Sequence, residues 1–272
     1  NKCRIGIDVG GTFTDIVAVS DTGTVTFSKA ASTPNDPSIG VMNAVERLAD
    51  ELGINSETLL SKTESIVHGT TVATNALLER KGAKTGLLTT LGHRDVLEMR
   101  EGLKDDRYNM RLPAPAPLVP RFLRLGVRER IKPDGRIHTE LDNTSLDEAI
   151  NKLREEKVTS VAVCYLHAYK EPKHEQETKK ILEEKLPGVS VSISSEVFPE
   201  IKEYERVSTT IVNAYVRPIV ENYLNRLEER LKNAGYKGSV LIILSHGGVA
   251  PIEEAIRLSA ATVLSGPAGG VA

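Results

Sequence analysis

The stretch Ile5-Gly6-Ile7-Asp8-Val9-Gly10-Gly11-Thr12-Phe13-Thr14-Asp15-Ile16-Val17-Ala18-Val19 decides the fold. Two apolar runs flank a glycine turn, which predicts a strand, a tight turn carrying hydroxyls, and a second strand. Gly10 and Gly11 allow positive φ and bring bare N–H groups up to phosphate oxygens. Thr12 and Thr14 add hydroxyl donors. Asp8 ends the first strand, where its carboxylate suits a hydrated Mg²⁺, an ion that keeps its waters and takes one or two carboxylates. An ordinary hairpin also uses Gly-Gly. The Thr-x-Thr-Asp that follows the turn and the acid that precedes it favour a phosphate and metal clamp, with Asp8 and Asp15 as candidate catalytic residues. The P-loop and dinucleotide fingerprints do not fit, since the turn has no Gly-Lys-Ser/Thr and no helix opens directly after it.

A chain of 272 residues with 40% apolar content buries a substantial core, as two lobes or one large domain. A net charge of −2 gives no general attraction to nucleic acid or to an anionic membrane. No apolar run approaches the roughly 18 residues of a spanning helix. Cys3 and Cys164 are far apart and lack C-x-x-C spacing, which argues against a disulfide framework, a zinc site or an iron–sulfur cluster. A reducing cytoplasm is the expected location, with no signal peptide ahead of the first strand.

Residues 24–30 read as a third strand, and Asp36-Pro37 opens a helix to about Leu52 with an apolar stripe of Ile39, Met42, Val45, Leu48 and Leu52. Residues 65–68 form a short strand, 72–79 a helix and 85–89 a buried strand. From 92 to 141 the chain carries Pro113, Pro115, Pro117 and Pro120 and nine arginines, with acids interspersed. This region reads as inserted loops and a hairpin around Pro133-Asp134-Gly135, serving as a cap or subunit contact. Ser145-Leu146-Asp147-Glu148 reads as a capping box, followed by strand 160–164, helix 172–185 and strand 189–194. A long helical region, 201–234, is expected to kink or break at Pro218 and to end at Gly235. Residues 240–244 read as another buried strand.

Several further residues are candidates. His68, at a strand end beside Gly69, Thr70 and Thr71, is placed to meet a substrate or transferred phosphoryl group, although the two threonines also suit a helix cap. Arg94, next to Asp95, is a candidate substrate or phosphate contact or the start of a surface helix. Glu203, Arg206 and Asn213 share a helix face. There Asn213 is the cleft candidate, and Glu203 with Arg206 reads equally as an exposed salt bridge. Gly247 and Gly248 follow a buried strand, where open α/β sheets place ligands, or form a turn before Pro251.

The first hairpin, joined to His68-Gly69-Thr70-Thr71-Val72-Ala73-Thr74-Asn75, Leu91-Gly92-His93-Arg94-Asp95 and Ser265-Gly266-Pro267-Ala268-Gly269-Gly270-Val271, resembles the hydantoinase A / 5-oxoprolinase family, which includes acetone and acetophenone carboxylase subunits. Glu203-Tyr204-Glu205-Arg206 and Asn213-Ala214-Tyr215 are similar to the family pattern too. The resemblance covers essentially the whole chain. It implies an α/β fold, an actin-like ATPase (ribonuclease-H-like) lobe with the second ATPase half missing. Residues 1–195 would be the hydantoinase/oxoprolinase N-terminal domain, and 196–272 a truncated start of the hydantoinase A domain. ATP and Mg²⁺ are the implied cofactors. Gly10, Gly11, Thr12, Thr14, Gly247, Gly248, Gly266, Gly269 and Gly270 would contact the nucleotide. Thr70, Thr71, Asn75, Arg94 and Asn213 would contact substrate, and Asp8, His68 and Asp15 would serve the chemistry.

The implied activity is ATP-dependent ring opening of a hydantoin, 5-oxoproline or another cyclic amide, through phosphorylation of the carbonyl oxygen. Such a step is mostly positioning and charge neutralisation, which suits glycine amides, threonines and Mg²⁺. The alternatives are a ketone carboxylase subunit and a nucleotide-dependent reactivating chaperone. A second large subunit of the hydantoinase B type, or a fused domain, is the implied partner. Family members continue into a second Asp-x-Gly-Gly-Thr hairpin, so a chain of only these residues is expected to bind ATP weakly and not to turn over.

Overall fold

The computed structural model describes residues 2–102, 106, 108–112 and 115–266, so part of the proline-rich stretch, with Pro113, lies outside the described residues. It is a mixed α/β fold whose chain divides into two compact units, one holding the residues up to Lys81 and from Ile219 onward, the other Gly82–Pro218.

In the first unit, β1 (Cys3–Val9), β2 (Phe13–Ser20) and β3 (Val25–Ala31) form an antiparallel meander, followed by α1 (Pro37–Glu51), α2 (Ser56–Lys62), β4 (Thr63–Thr70) and α3 (Val72–Leu78). In the second, β5 (Thr85–Thr90), α4 (Val96–Met99), β6 (Arg124–Val127), β7 (Arg130–Ile131) and β8 (Ile137–Thr139) precede α5 (Asn143–Glu155) and β9 (Ser160–Cys164). Then come α6 (Lys173–Lys185), β10 (Ser190–Ile193), α7 (Ser194–Val197) and α8 (Glu203–Asn233), which runs through the division between units. The chain finishes in the first unit with β11 (Ser239–Ile243), β12 (Val249–Pro251) and α9 (Ile252–Arg257).

The first unit holds a six-stranded sheet in the order β12-β11-β4-β1-β2-β3, with β4 parallel to both β1 and β11. Alternation along β1 sends Ile5, Ile7 and Val9 into the core and Gly6 and Asp8 to the other face. The core face of α1 is made by Val41, Ala44, Val45, Leu48 and Ala49, whereas Ile39 and Leu52 are exposed at 38% and 39%. The expected stripe is thus rotated toward Val41, Ala44 and Ala49, and Gly40 marks a close approach to the sheet, since a Cβ there would meet Thr14 Oγ1 at 3.3 Å. Asp36 caps α1, accepting from the Ser38 N–H at 3.2 Å.

The second unit holds a four-stranded sheet, β10-β9-β5-β6, and the β7–β8 hairpin falls at the expected Pro133-Asp134-Gly135 turn. Asp142, not Ser145, caps α5, its carboxylate accepting from the Ser145 N–H at 2.9 Å. The chain around Pro218 stays helical. One turn earlier, the Tyr215 carbonyl accepts from the Ala83 N–H at 2.9 Å. Arg121, Arg124, Arg128 and Arg136 pair with Asp95, Glu98, Asp142 and Asp134, so much of the basic stretch is neutralised within the unit. Both cysteines are free, and among the described residues no helix is long and apolar enough to cross a membrane.

Candidate nucleotide site

Strand register assembles the site in the first unit. Asp8 stands opposite Asp15 on β2 and Gly69 on β4, and Asp15 stands opposite Lys29 on β3. The row Gly69, Asp8, Asp15, Lys29 therefore crosses four strands on the face away from α1. It lines a cavity of about 590 Å³ with Gly6, Val17, Val67, Ile243 and Gly266. Lys29 Nζ lies 2.9 Å from Asp15, while Asp8 has no ion-pair partner among the described residues. Burial first, and the charge of Asp15 second, raise the Asp8 pKa above its ordinary value.

Glycines keep the Asp8 carboxylate uncovered. A Cβ on Gly69 would come within 3.2 Å of Asp8 Oδ1, and one on Gly266 within 3.5 Å. Gly266 is carried there because the Ser265 hydroxyl donates to the Thr70 carbonyl at 3.0 Å and the Leu264 N–H donates to Thr74 Oγ1 at 2.9 Å. Gly269 and Gly270 lie outside the described residues.

The turn itself differs from expectation in its torsions. Neither Gly10 nor Gly11 has positive φ. Gly10 is needed for space, since its N–H donates to the Phe13 carbonyl at 3.0 Å and a Cβ there would meet that oxygen at 3.2 Å. Around Gly11 nothing lies within 4 Å of a Cβ position, and the Gly11 and Thr12 N–H groups have no backbone partner among the described residues. These are the open donors of the turn. Thr14 is not one: it points to the core face, is fully buried and shares a hydrogen bond with Ser32 Oγ at 3.1 Å.

A second cavity of about 650 Å³ adjoins the same turn, lined by Gly10, Gly11, Asp36, Thr71, Asn75, Tyr223 and Arg226 among others. The Thr71 hydroxyl donates to the Val9 carbonyl at 3.1 Å, and Asn75 Nδ2 donates to Thr71 Oγ1 at 3.3 Å. Thr70 is buried, its hydroxyl accepts from the Val72 N–H at 3.2 Å just ahead of α3, whose N-cap is Thr71, and it does not line this cavity.

His68 corrects the sequence expectation. It is fully buried, lines neither cavity and shares a 2.7 Å hydrogen bond between Nε2 and the Tyr223 hydroxyl. Burial lowers its pKa to about 4, so the ring is neutral at physiological pH. Gly247 and Gly248 form the β11–β12 turn, with the Leu244 N–H donating to the Gly248 carbonyl at 2.8 Å, and line neither cavity. Gly247 has φ of 84°, which explains the glycine there structurally.

Arg94 and Asn213 belong to the second unit. Arg94 is exposed, while Asn213 is buried and donates from Nδ2 to Ser192 Oγ at 3.0 Å. The Glu203–Arg206 pair forms, but Arg206 is fully buried rather than exposed, and donates to the Tyr165 carbonyl and Ser194 Oγ, both at 2.8 Å. Two residues of the first unit escaped sequence reasoning. Lys29 takes its place only through the β2–β3 register, and Tyr223 reaches His68 from 155 positions away.

A family model described as the hydantoinase/oxoprolinase N-terminal region matches residues 4–186, and one described as hydantoinase/oxoprolinase matches 206–272. The caprolactamase subunit alpha of Pseudomonas jessenii is 39% identical over 97% of this chain and 38% of the relative's length. The crystal structure of the ATP-dependent caprolactamase from the same organism superposes with a TM-score of 0.88 over 97% of this chain and 39% of that chain, at 39% identity. A nucleotide-free acetone carboxylase, from a study of ATP-dependent acetone carboxylation, gives a TM-score of 0.90 at 29% identity over 99% of this chain and 40% of that chain. The chain thus spans about two fifths of the length of these relatives. The fold is that of their actin-like ATPase-type N-terminal part, and the chain belongs to the hydantoinase/oxoprolinase family.

Proposed function

We propose that this chain carries part of the nucleotide site of an ATP-dependent enzyme that opens a cyclic amide, such as a hydantoin, 5-oxoproline or another lactam, by phosphorylating its carbonyl oxygen. The supporting observation is the uncovered Asp8 carboxylate, framed by Gly69 and Gly266 beside a turn with open N–H donors. The 39% identity to a caprolactamase subunit favours the cyclic-amide substrate.

In this reading the Gly11 and Thr12 amides bind phosphate oxygens, and Gly69 and Gly266 leave room for them at Asp8. Mg²⁺ fits Asp8, because two carboxylates face each other there and only Asp15 has a lysine partner. Among the described residues no group of three or more His, Cys, Asp or Glu converges on a metal, which accords with an ion held by one carboxylate, waters and phosphates. Such an ion would neutralise charge on the phosphate oxygens. Thr71 and Asn75 contact the acceptor, Lys29 holds Asp15, and His68 acts from beneath by fixing the end of β4. We assign 1–195 and 196–272 to the two family segments, place the protein in the cytoplasm, and pair it with a second large subunit or fused domain, as the relative's designation as a subunit suggests.

The 0.90 superposition on acetone carboxylase favours a second reading, a subunit of an ATP-dependent ketone carboxylase. ATP hydrolysis by the whole protein with its partner, with cyclic amides or with ketones plus bicarbonate, separates the two. Stimulation by a cyclic amide is expected. Stimulation only by a ketone with bicarbonate establishes the carboxylase, and stimulation by neither removes both readings and leaves a chaperone-type ATPase.

A further inference from the structure

Topology leaves one face of the six-stranded sheet bare. The chain passes from β3 to β4 by way of α1, and from β4 to β11 by way of α8, moving in the same direction across the sheet each time. β3, β4 and β11 all point the same way, and crossovers between parallel strands are right-handed, so both helices fall on one face. Contacts agree, since Arg230 Nε of α8 donates to Ser38 Oγ of α1 at 2.9 Å. On the opposite face, among the described residues, no helix lines the cavity beside Asp8; apart from Gly266, its lining consists of strand residues.

Register sorts that face into rows. One is the set Gly69, Asp8, Asp15 and Lys29. The next, two residues toward the start of β1, is Leu241, Val67, Gly6, Val17 and Phe27, each the partner of the one before across five strands. No member carries a polar side chain. Phe27 is 70% exposed, and Gly6 makes a trough at the centre of the row, where a Cβ would come within 3.0 Å of Val17 Cγ1. A sheet face that meets water turns polar side chains to it, whereas parallel strands are covered on both faces and stay apolar on each. The row has the second character. A helix with its side chains is about 10 Å across and neighbouring strands lie about 4.8 Å apart, so one helix covers Val67, Gly6 and Val17 together.

We propose that this apolar row seats an amphipathic helix of the same polypeptide, one lying outside residues 1–272, whose apolar stripe fills the trough at Gly6 between Val67 and Val17. Relative length selects this occupant. The match takes in 38% of the caprolactamase subunit and 39% of the caprolactamase chain in its crystal structure, which leaves about three fifths of a polypeptide of this kind to supply the cover. A helix is the element that layers on a sheet with parallel central strands. Seated there, it walls the apolar side of the cavity beside Asp8. The inference does not depend on the nucleotide reading, so its test omits nucleotide.

Photo-crosslinking of the whole protein tests it. Phe27 is replaced by p-benzoylphenylalanine, which keeps an aromatic ring at that position, and cross-linked peptides are identified by mass spectrometry, with mixed isotope-labelled copies separating intrachain from interchain products. The expected product joins position 27 to a segment of the same polypeptide outside residues 1–272. A product between two copies, a product with a different subunit, a product confined to residues 1–272, or no product overturns the proposal. Alkylation of Phe27→Cys gives an independent reading. The thiol is expected to react at least tenfold more slowly in the folded whole protein than in urea, and a rate within twofold of the urea rate also overturns the proposal.

Discussion

Asp8 shows how one residue can be costly to the fold and, under the proposed function, needed by the site. Its raised pKa means that the folded protein disfavours its charge, chiefly through burial and then through Asp15. Asp8→Asn is therefore expected to leave the unfolding midpoint unchanged or slightly higher while, under the proposed function, lowering kcat for ATP hydrolysis by the whole protein by roughly 100-fold or more, the scale for losing one electrostatic group that stabilises a transition state. Steady-state kinetics and calorimetry on the same preparation check both halves. His68 gives a prediction in pH. The unfolded ring takes up its proton near 6.5 and the folded one only near 4, so the unfolded state binds more protons in that window. Stability falls as pH drops from 6.5 to 4, with a contribution from His68 of about 3 kcal/mol. His68→Gln should flatten that slope in denaturant unfolding at pH 7, 5.5 and 4. An unaltered slope would show that the ring titrates normally. The Asp8 turn was legible from residue types alone, whereas the burial of His68 was not, because an eight-residue strand shows its face only once its neighbours are known.

Among elements, α1 is the clearest case of a helix whose boundaries the sequence announces and whose buried face it obscures. Asp36 and Pro37 mark the start by capping chemistry, which is local. The rotated core face depends on the sheet it meets, where Gly40 lies so close that a Cβ would come within 3.3 Å of Thr14 Oγ1. Asp36 also lies 3.1 Å from Arg230 and 3.6 Å from Arg226 on α8. Asp36→Ala removes the cap, worth about 1 kcal/mol. It also removes two partly exposed ion pairs, each worth roughly 1 kcal/mol or less. A loss of about 1–2 kcal/mol in urea unfolding is expected, and a loss below about 0.5 kcal/mol would deny the cap its role. In α8, Pro218 was expected to kink or break the helix, and no break occurs there. The helix persists because a proline's missing N–H affects one carbonyl and the surrounding backbone can absorb it.

At the scale of the molecule, the first unit is assembled from two separated stretches of chain, with Gly82–Pro218 between them. Lys81 and Ile219 line the same cavity, so the chain leaves and re-enters the first unit at one place. Replacing residues 82–218 by a short Gly/Ser linker is accordingly expected to leave a six-stranded sheet that unfolds cooperatively, read by circular dichroism across a urea titration. A broad, non-cooperative transition would show that the unit needs the intervening residues to fold.

By itself the sequence determined the α/β class, the hairpin that ends in Asp8, most strand and helix positions and the family, because these rest on turn chemistry, capping and periodicity within a few residues. Tertiary structure alone decided which strands lie side by side, and with that the meeting of Asp8 with Gly69, Asp15 with Lys29 and His68 with Tyr223. It also decided that Thr14 and His68 are enclosed and that Gly247 and Gly248 form the β11–β12 turn, outside the lining of the cavity that holds Asp8. The physical reason is that register and burial are set by partners distant in the chain, and no local pattern encodes the identity of a distant partner.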